Sequence, residues 1–557
     1  MTRNVTKQLM TAALAAVSLA VAVPARAQQT SEDRIQELVR QAAARFATRT
    51  PAASAQAPQA PAAPGQVLNV TLDDAVKMAL DRNLDIAVQR LNPQINDVAV
   101  ASALTVFKPI ISSNLSQRSS ENEPTSTLTQ GANGAPVIAT STYNGGYSQN
   151  INFHGGLFTA SLNNFRQTST SNTATFTPEY SSTWTLNYTQ PLFRNWRIDA
   201  NRETIAIARV NRDISDVQLQ STITNTVSNV RNAYWDYVYA QGAVDVAQQS
   251  LDIANRLVTD DNTRVEVGTM APLDVKTAQS QAANALQSLV AAQSTKQTAE
   301  LALKKLVVGS TDDAAWKGSL HATDTPDFAP QPVDIEGAIR RALSQRTDLA
   351  IVKKTVSEND VILKYLKDQT RAQFDFVAAY GTNGVAGTQI TRSGVTGGAS
   401  GTTDIPYFQS FSTLFKSTYP TWSFGINFSY PLGLSAQEAS VAKARITLNQ
   451  IDAQQRQIEL QVANDVTSAA ITVQNSAEAV RAAQTSVDLA QQELDAEQSK
   501  FDVGMSTNYN IVLAQTNFST ARGNQLSALR NYRKALVELE RQQQTTLTSA
   551  GITILGR

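Results

Sequence analysis

Hydrophobic and small residues recur at every third or fourth position along two long stretches of the chain, residues 197–264 and 436–500. Neither stretch contains proline, and Gly242 is the only glycine in either. This spacing predicts two amphipathic helices of roughly 100 Å, at about 1.5 Å rise per residue. Both helices need close helical neighbours, as in a coiled coil. Their Gln, Asn, Ser, Thr and charged positions suit either a solvated coiled-coil face or the wall of a polar lumen.

The pattern changes to strict alternation just before each long helix, around residues 180–188 and 421–430. Apolar and polar side chains then point to opposite faces of a strand. Each segment has about the 9 to 11 residues that a tilted transmembrane strand requires. We expect one face to contact lipid, and its residues are Tyr180, Trp184, Leu186, Tyr188, Trp422, Phe424, Ile426 and Phe428. A strand of a soluble β-sandwich is the alternative.

Further alternating runs lie at residues 107–117, 143–153, 157–166 and 373–380. His154, Gly155 and Gly156 separate two of these runs and predict a tight hairpin turn. The chain therefore supplies four to six strands. Because the smallest lipid-spanning barrels have about eight, and an open edge in lipid leaves backbone groups unpaired, we expect several copies to share one barrel.

The chain contains an internal duplication. Adding 263 to the residue numbers carries the pattern Leu72, Ala75, Ala79 and Asp85 onto a second pattern with the same character, Ile335, Ala338, Ala342 and Asp348. Further along, an offset of 236 maps Gly268 onto Gly504. The change of offset places about 27 extra residues in the first copy, and the run at 143–166 is where we expect them.

The N-terminus carries Arg3 and Lys7, an apolar run, and then Ala25, Arg26 and Ala27. This order is typical of a secretory signal peptide, residues 1–27, which predicts an exported chain that begins at Gln28. An Ala/Pro/Gln-rich spacer follows at 28–66. We then expect a first repeat at 67–310, a linker at 311–332, a second repeat at 333–545 and a C-terminal tail at 546–557.

Composition narrows the possible chemistry. The chain has 47 basic and 47 acidic residues, so its charge does not favour nucleic acid as a partner. It has no cysteine and its histidines are His154 and His321, which excludes a zinc cluster, a thiolate nucleophile and a disulfide framework. Both histidines are expected at the surface, in turns. We find no phosphate loop or nucleophile elbow, and we expect no cofactor and no enzymatic activity.

Two turns carry the most specific pattern in the chain. Residues 264–268 read RVEVG and residues 500–504 read KFDVG, and in both cases Ala-Gln follows ten residues after the glycine. The strand ends at 188–192 (YTQPL) and 428–432 (FSYPL) are also alike. Together with the signal peptide and the duplicated strand-and-helix unit, these motifs resemble the TolC-like outer-membrane efflux protein family from Val70 to about Gln543.

The resemblance implies an α+β membrane protein, in which a trimeric transmembrane β-barrel continues as a long periplasmic α-helical barrel. It also implies a passive exit duct of a tripartite efflux or type I secretion system in the outer membrane of a Gram-negative bacterium. Its partners would be two further copies of the chain, a periplasmic adaptor protein, an inner-membrane transporter and outer-membrane lipid. The resemblance covers drug efflux, metal efflux and protein secretion alike.

The family's turns form the periplasmic tips of the duct. The residues that this implies for adaptor docking are Arg264, Val267, Gly268, Pro272, Lys500, Val503 and Gly504. The residues that it implies for the gate are Asp274, Phe501 and Asn510. Asn510 stands where the duplication would predict a second aspartate. A periplasmic coiled-coil adaptor or spacer is the alternative function, although an adaptor has one helical hairpin where this chain predicts two.

Overall fold

The computed structural model describes residues 67–121, 123, 134–268, 270–325, 327–330, 332–393, 399–430, 432–433 and 435–551. The predicted signal peptide (1–27) and spacer (28–66) lie outside these residues. Within the described ranges, no helix is both long and apolar enough to cross a membrane.

The first repeat begins with a short strand and two helices, namely β1 (Val67–Val70), α1 (Leu72–Arg82) and α2 (Leu84–Leu104). Thr71 caps α1, because its Oγ accepts a hydrogen bond from the Asp74 amide at 3.1 Å and the Asp74 carboxylate accepts one from the Thr71 amide. Asn83 caps α2 by accepting a hydrogen bond from the Asp85 amide at 2.9 Å. Asn83 thus fixes the turn between the two helices, while Thr71 fixes the start of the first.

Four antiparallel strands follow, namely β2 (Ile110–Glu121), β3 (Val137–Asn150), β4 (Leu157–Ser169) and β5 (Phe176–Pro191). The turn between β3 and β4 has positive φ at His154 (51°) and Gly155 (70°), as the predicted hairpin requires. His154 lies in this turn, as expected, and is partly covered. Its ring stacks on Trp196 with centroids 4.0 Å apart, which leaves it half-buried.

The first helical hairpin consists of α3 (Ala200–Glu266) and α4 (Pro272–Val307). Two short elements come next, namely α5 (Ala314–Lys317) and β6 (Ser319–Ala322). Strand β6 pairs in parallel with β1 and buries Leu320 and Ala322. The segment expected to be a plain linker, 311–332, is therefore partly structured. His321 is exposed on β6, in a strand instead of the expected turn.

The second repeat contains α6 (Ile335–Gln345), α7 (Thr347–Gln369), β7 (Gln373–Arg392), β8 (Ala399–Ile405), α8 (Tyr407–Phe415), β9 (Pro420–Ser429), α9 (Ala436–Asp502), α10 (Asn508–Gln542) and α11 (Thr546–Ser549). Helix α11 packs against α3 and buries Thr546 and Leu547. The first residues of the expected tail, 546–557, thus belong to the fold.

The helix bounds repeat at the offsets found in the sequence. Adding 263 to the bounds of α1 gives those of α6, and adding 236 to the bounds of α3 gives those of α9. The same offset carries the first residue of α4 onto the first residue of α10. The duplication is confirmed, and the extra residues of the first copy fall in its sheet region, where β3 and β4 form an additional hairpin.

The sheet is antiparallel, and within the described residues it contains seven strands. Strands β2, β3, β4, β5 and β7 are neighbours in that order. Strand β9 pairs with β7 along 373–382, next to the helices, and β8 pairs with β7 farther out, along 387–392. At the level next to the helices the described sheet is six strands wide, with β2 and β9 at its edges.

Two hydrophobic cores stabilise the helices beneath the sheet. The first joins α1, α3, α4, β1 and β6, and it buries Tyr234 and Tyr237 completely. The Tyr234 hydroxyl donates to Asp324 at 2.8 Å, and the Tyr237 hydroxyl donates to the Leu320 carbonyl. Burial raises the pKa of Tyr237 to about 12. The second core joins α6, α7, α9 and α10 around Val462 and Tyr532.

Candidate functional site

One face of the sheet gathers the apolar residues predicted to contact lipid. Directly opposed residues of neighbouring strands point to the same face. Leu186 lies opposite Tyr380, which lies opposite Trp422, and Tyr188 reaches Phe424 through Ala378 in the same way. The register thus places all eight predicted residues on one face: Tyr180, Trp184, Leu186, Tyr188, Trp422, Phe424, Ile426 and Phe428.

The extra hairpin of the first repeat continues this face. Phe158 of β4 lies opposite Tyr188, and Ala160 lies opposite Tyr147 of β3, which in turn lies opposite Ile111 of β2. The other face carries Ser, Thr and Asn at most positions of β3, β4, β5 and β9. The apolar face therefore continues from β5 across the extra hairpin as far as Tyr147 and Ile111.

The two helical hairpins end in matching glycine turns. Gly268 has φ of +79° and Gly504 has φ of +76°, the left-handed region in which glycine avoids the steric cost of a Cβ. Their amides donate to the carbonyls of Val265 and Phe501, each at 3.0 Å. A Cβ built on either glycine meets no atom within 4 Å. Both glycines therefore end long helices at open surface.

Exposed apolar side chains surround these glycines. Val267 and Val503, predicted at the tips, are exposed. Leu273, Met505 and Tyr509 are exposed as well and were not identified from the sequence. Leu273 and Tyr509 are related by the offset of 236, so the duplication offered a signal for them. We define the tip patch as Val267, Leu273, Val503, Met505 and Tyr509. Pro272 lies beside it as the exposed first residue of α4.

Two predicted residues hold the hairpins together. The guanidinium of Arg264 lies 4.2 Å from the centre of the Phe501 ring and 3.6 Å from the Asp502 carboxylate. Phe501 is only 4% exposed and packs with Leu257 and Ile511. Arg264, expected to face an adaptor, and Phe501, expected at the gate, thus join α3 to α9.

The other predicted tip and gate residues differ in their surroundings. Lys500 is exposed and pairs with Glu497 of its own helix. Hydrogen bonds from Lys500 and Ser506 lower the pKa of Glu497. Asn510 is exposed and its amide donates to Ser506 Oγ at 3.3 Å. Asp274 is half-buried, and its backbone carbonyl accepts a hydrogen bond from Asn508 at 3.2 Å.

A buried carboxyl group connects the two hairpins one turn above the tips. Asp261 is 0% exposed, and its Oδ2 accepts a hydrogen bond from Asn508 Nδ2 at 2.7 Å. Burial raises the pKa of Asp261 to about 6, and the charges of Asp274 and Asp260 add to this, against the lowering effects of Asn508 and Arg264. The sequence analysis missed this pair, although Asp261 and Arg264 recur at the offset of 236 as Glu497 and Lys500.

Solved structures with the same fold include two outer-membrane channels and an outer-membrane protein. The chain matches CmeC of Campylobacter jejuni with a TM-score of 0.59 and 13% identity over 87% of both chains. It matches VceC of Vibrio cholerae with 0.57 and 14% over 85% of this chain and 96% of that one. It matches the open state of MtrE of Neisseria gonorrhoeae with a TM-score of 0.57 and 14% identity, over 85% of this chain and 88% of that one. At such identities the likeness establishes the fold.

A search of curated proteins found no significant match. The family model described as outer membrane efflux protein matches residues 158–309 and 383–542, which together exceed half of the chain. The matched segments include both helical hairpins and most of the sheet. The chain therefore belongs to the outer membrane efflux protein family.

Proposed function

We propose that this protein is the passive exit duct of a tripartite efflux or type I secretion system and that it works as a homotrimer. Its sheet contributes to a shared barrel in the outer membrane, with the face of Trp184 and Phe424 toward lipid. Its helical hairpins extend about 100 Å into the periplasm. The polar face of the sheet lines the water-filled passage, and the duct performs no chemistry of its own.

The two periplasmic tips bind an adaptor protein, which connects the duct to an inner-membrane transporter. The observation that carries this proposal is the tip patch. Its apolar residues are exposed at the ends of both hairpins, where an isolated protein gains nothing from exposing them. The patch surrounds two glycines with open space above them, so a partner can approach the backbone closely.

The experiment replaces both glycines with a bulky residue, in the double variant Gly268→Leu, Gly504→Leu. A side chain at positive φ costs roughly 1 kcal/mol or more, and the Cβ of the new Leu has no atom of its own chain within 4 Å. We therefore expect normal trimer yield and membrane insertion, because the sheet lies far from the tips. Export and cross-linking to the adaptor, measured at matched trimer levels, should be lost.

The matched control is Gly268→Ala, Gly504→Ala, which introduces the same backbone strain with little added bulk. If steric conflict with a partner is the cause, the alanine variant retains most of its export and the leucine variant does not. Equal and undiminished export and cross-linking in both variants would exclude the tips as the docking surface.

A further inference from the structure

The short helix α8 lies on the apolar face of the sheet. Its Ser410 Oγ is 3.2 Å from the Ser182 Oγ, and the rings of Tyr407 and Tyr180 are 5.0 Å apart. Ser182 lies opposite Gly384 in the register, two residues from Trp184 on the same strand. Helix α8 therefore shares its side of the sheet with Trp184 and the other apolar residues, not with the polar face.

Helix α8 packs on small residues of the sheet. Ser182 and Ala386 are fully buried, and a Cβ on Gly384 would lie 2.2 Å from the Ser410 carbonyl oxygen. Glycine at position 384 thus permits a backbone approach that a larger residue would prevent. The apolar face carries small side chains at the point where the helix covers it, which indicates that the helix docks there specifically.

The surface of α8 has three sides. Ser410 and Leu414 face the sheet and are buried. Phe408 and Phe415, seven residues apart and so on one side of a helix, are 79% and 84% exposed. Gln409 is exposed on another side, and Lys416 follows directly after the helix. Two phenyl rings thus face outward beside a polar side.

The position of α8 along the bilayer normal follows from the two strands next to it in the chain. The helix precedes β9, whose apolar residues begin at Trp422. On its other side is β8, which pairs with the outer part of β7 in a hairpin rich in Thr, Ser, Gly and Gln. Helix α8 therefore lies where the apolar band of the sheet gives way to polar outer strands. Amphipathic helices with aromatic residues lie at this boundary of a bilayer.

We propose that α8 is an interfacial helix of the outer leaflet, with Phe408 and Phe415 among the upper acyl chains and Gln409 and Lys416 among the headgroups. The inference rests on the proposed lipid-facing side of the sheet. A second copy of the chain is a less suitable occupant, because the free edges of the sheet are β2 and β9, whereas α8 packs on the face of the inner strands β5 and β7. Lipid contact is continuous with the apolar band below the helix.

The test uses single cysteines, since the natural chain contains none. Phe408→Cys and Phe415→Cys are labelled with a polarity-sensitive fluorophore and reconstituted as assembled trimers. The vesicles contain phosphatidylcholine and phosphatidylglycerol, with a lipid that carries a nitroxide near the top of its acyl chain. Gln409→Cys on the polar side is the matched control, and Phe424→Cys is the reference for the lipid face of the sheet.

We expect the nitroxide to quench the labels at 408 and 415 at least about twofold more than the label at 409, with the reverse order for aqueous iodide. Labels at 408 and 415 that behave like the label at 409 would overturn the inference. Shielding of both from both quenchers would also overturn it, because protein would then cover the helix. If the label at 424 also escapes a second lipid, which carries its nitroxide near the end of the acyl chain, the proposed facing of the sheet fails as well.

Discussion

Asp261 provides the clearest case in which one side chain controls a contact between the hairpins. Its Oδ2 accepts the Asn508 amide, while the Oδ1 atoms of both residues are buried without a hydrogen-bond partner. A proton on the carboxyl group would supply the missing donor, and we expect it to bond to the Asn508 amide oxygen. The contact is then stronger in the protonated form.

The pH dependence of this contact has a definite sign. Burial raises the pKa of Asp261 from 3.8 to about 6, so the folded chain retains a proton that the unfolded chain releases. The free-energy cost of burying the charged Asp261 carboxylate is absent below about pH 4 and fully present above about pH 6. Because one pKa unit corresponds to about 1.4 kcal/mol, the penalty at neutral pH is at most about 3 kcal/mol. The contact weakens as the pH rises through this range.

The variant Asp261→Asn mimics the protonated form at every pH. We expect it to slow hydrogen–deuterium exchange of the tip amides relative to the natural chain at pH 7.5, and to have little effect at pH 4.5. The other charged groups facing this site, Arg264, Asp260 and Asp274, are unchanged in the variant. Glu266→Gln is the control, since this exposed carboxyl group lies on the same helix and is not among the charges that shift the pKa of Asp261. Exchange that differs equally at both pH values would argue against titration of Asp261.

The sequence identified those residues whose type is dictated by the local backbone conformation alone. The repeated spacing identified Gly268 and Gly504, and their positive φ confirms the expected turns. Asp261, Arg264 and Phe501 were missed or given other surroundings because their contacts cross between hairpins. Which side of a helix meets the neighbouring hairpin depends on how the helices are rotated against each other, and helical periodicity alone does not fix that.

Strand β9 offers a direct test of the two faces of the sheet. Phe424 lies opposite Ala378 on the apolar face, and Ser423 lies opposite Ala379 on the polar face. A lysine near the midplane of the lipid face costs about 2 to 4 kcal/mol in outer-membrane barrels. We therefore expect Phe424→Lys to reduce the yield of SDS-resistant oligomer in the outer-membrane fraction, and Ser423→Lys to be milder. Equal losses would mean that the assignment of the faces is wrong.

The elements found from the sequence are those with long or strongly alternating patterns. The long helices α3 and α9 end within two residues of the glycines that the duplication identified. Strand β8 and helix α8 were not predicted, because β8 (ASGTTDI) has no apolar alternation and α8 spans nine residues, too few to establish a period. The short α5 and β6 escaped for the same reason.

The described sheet has two edges that need partners in a membrane. Both edge strands, β2 and β9, are exposed along nearly their whole length. In a sheet six strands wide, β2 runs away from the helices and β9 runs back toward them, so β9 of one copy can pair antiparallel with β2 of the next. Three copies of six strands would close a barrel of about 18 strands, and closure removes every open edge.

One helix near the membrane also lacks a packing partner on one side. The duplication predicts which helix packs there. Helix α7 packs against α9 of its own repeat and also against α3 of the other repeat. Its counterpart α2 packs against α3 through the buried Ile86 and Pro93. The opposite side of α2 exposes an apolar stripe at heptad spacing, Leu84, Val88, Leu91, Ile95 and Val98. By symmetry we expect this stripe to meet α9 of a neighbouring copy.

The contact between repeats within one chain predicts the contact between chains. Lys354 of α7 pairs with Asp213 of α3 at 3.0 Å. The offsets of 263 and 236 carry this pair onto Leu91 and Asn449, which are both exposed. We therefore expect Leu91 of one copy to lie beside Asn449 of the next, where the exposed Ile446 can cover the apolar stripe one turn away.

Cysteine cross-linking tests this interface, because the chain contributes no thiols of its own. Leu91→Cys with Asn449→Cys should be joined between copies by a short bis-maleimide, seen on gels of heat-denatured protein as a ladder of bands that ends at the covalent trimer. The matched control, Asp213→Cys with Lys354→Cys, should be joined within one chain and leave the monomer band in place. If the first pair yields only monomers while the second cross-links, the repeats do not assemble by the symmetry of their duplication. If the ladder continues beyond three copies, the assembly is larger than the barrel of three chains that the sheet edges predict.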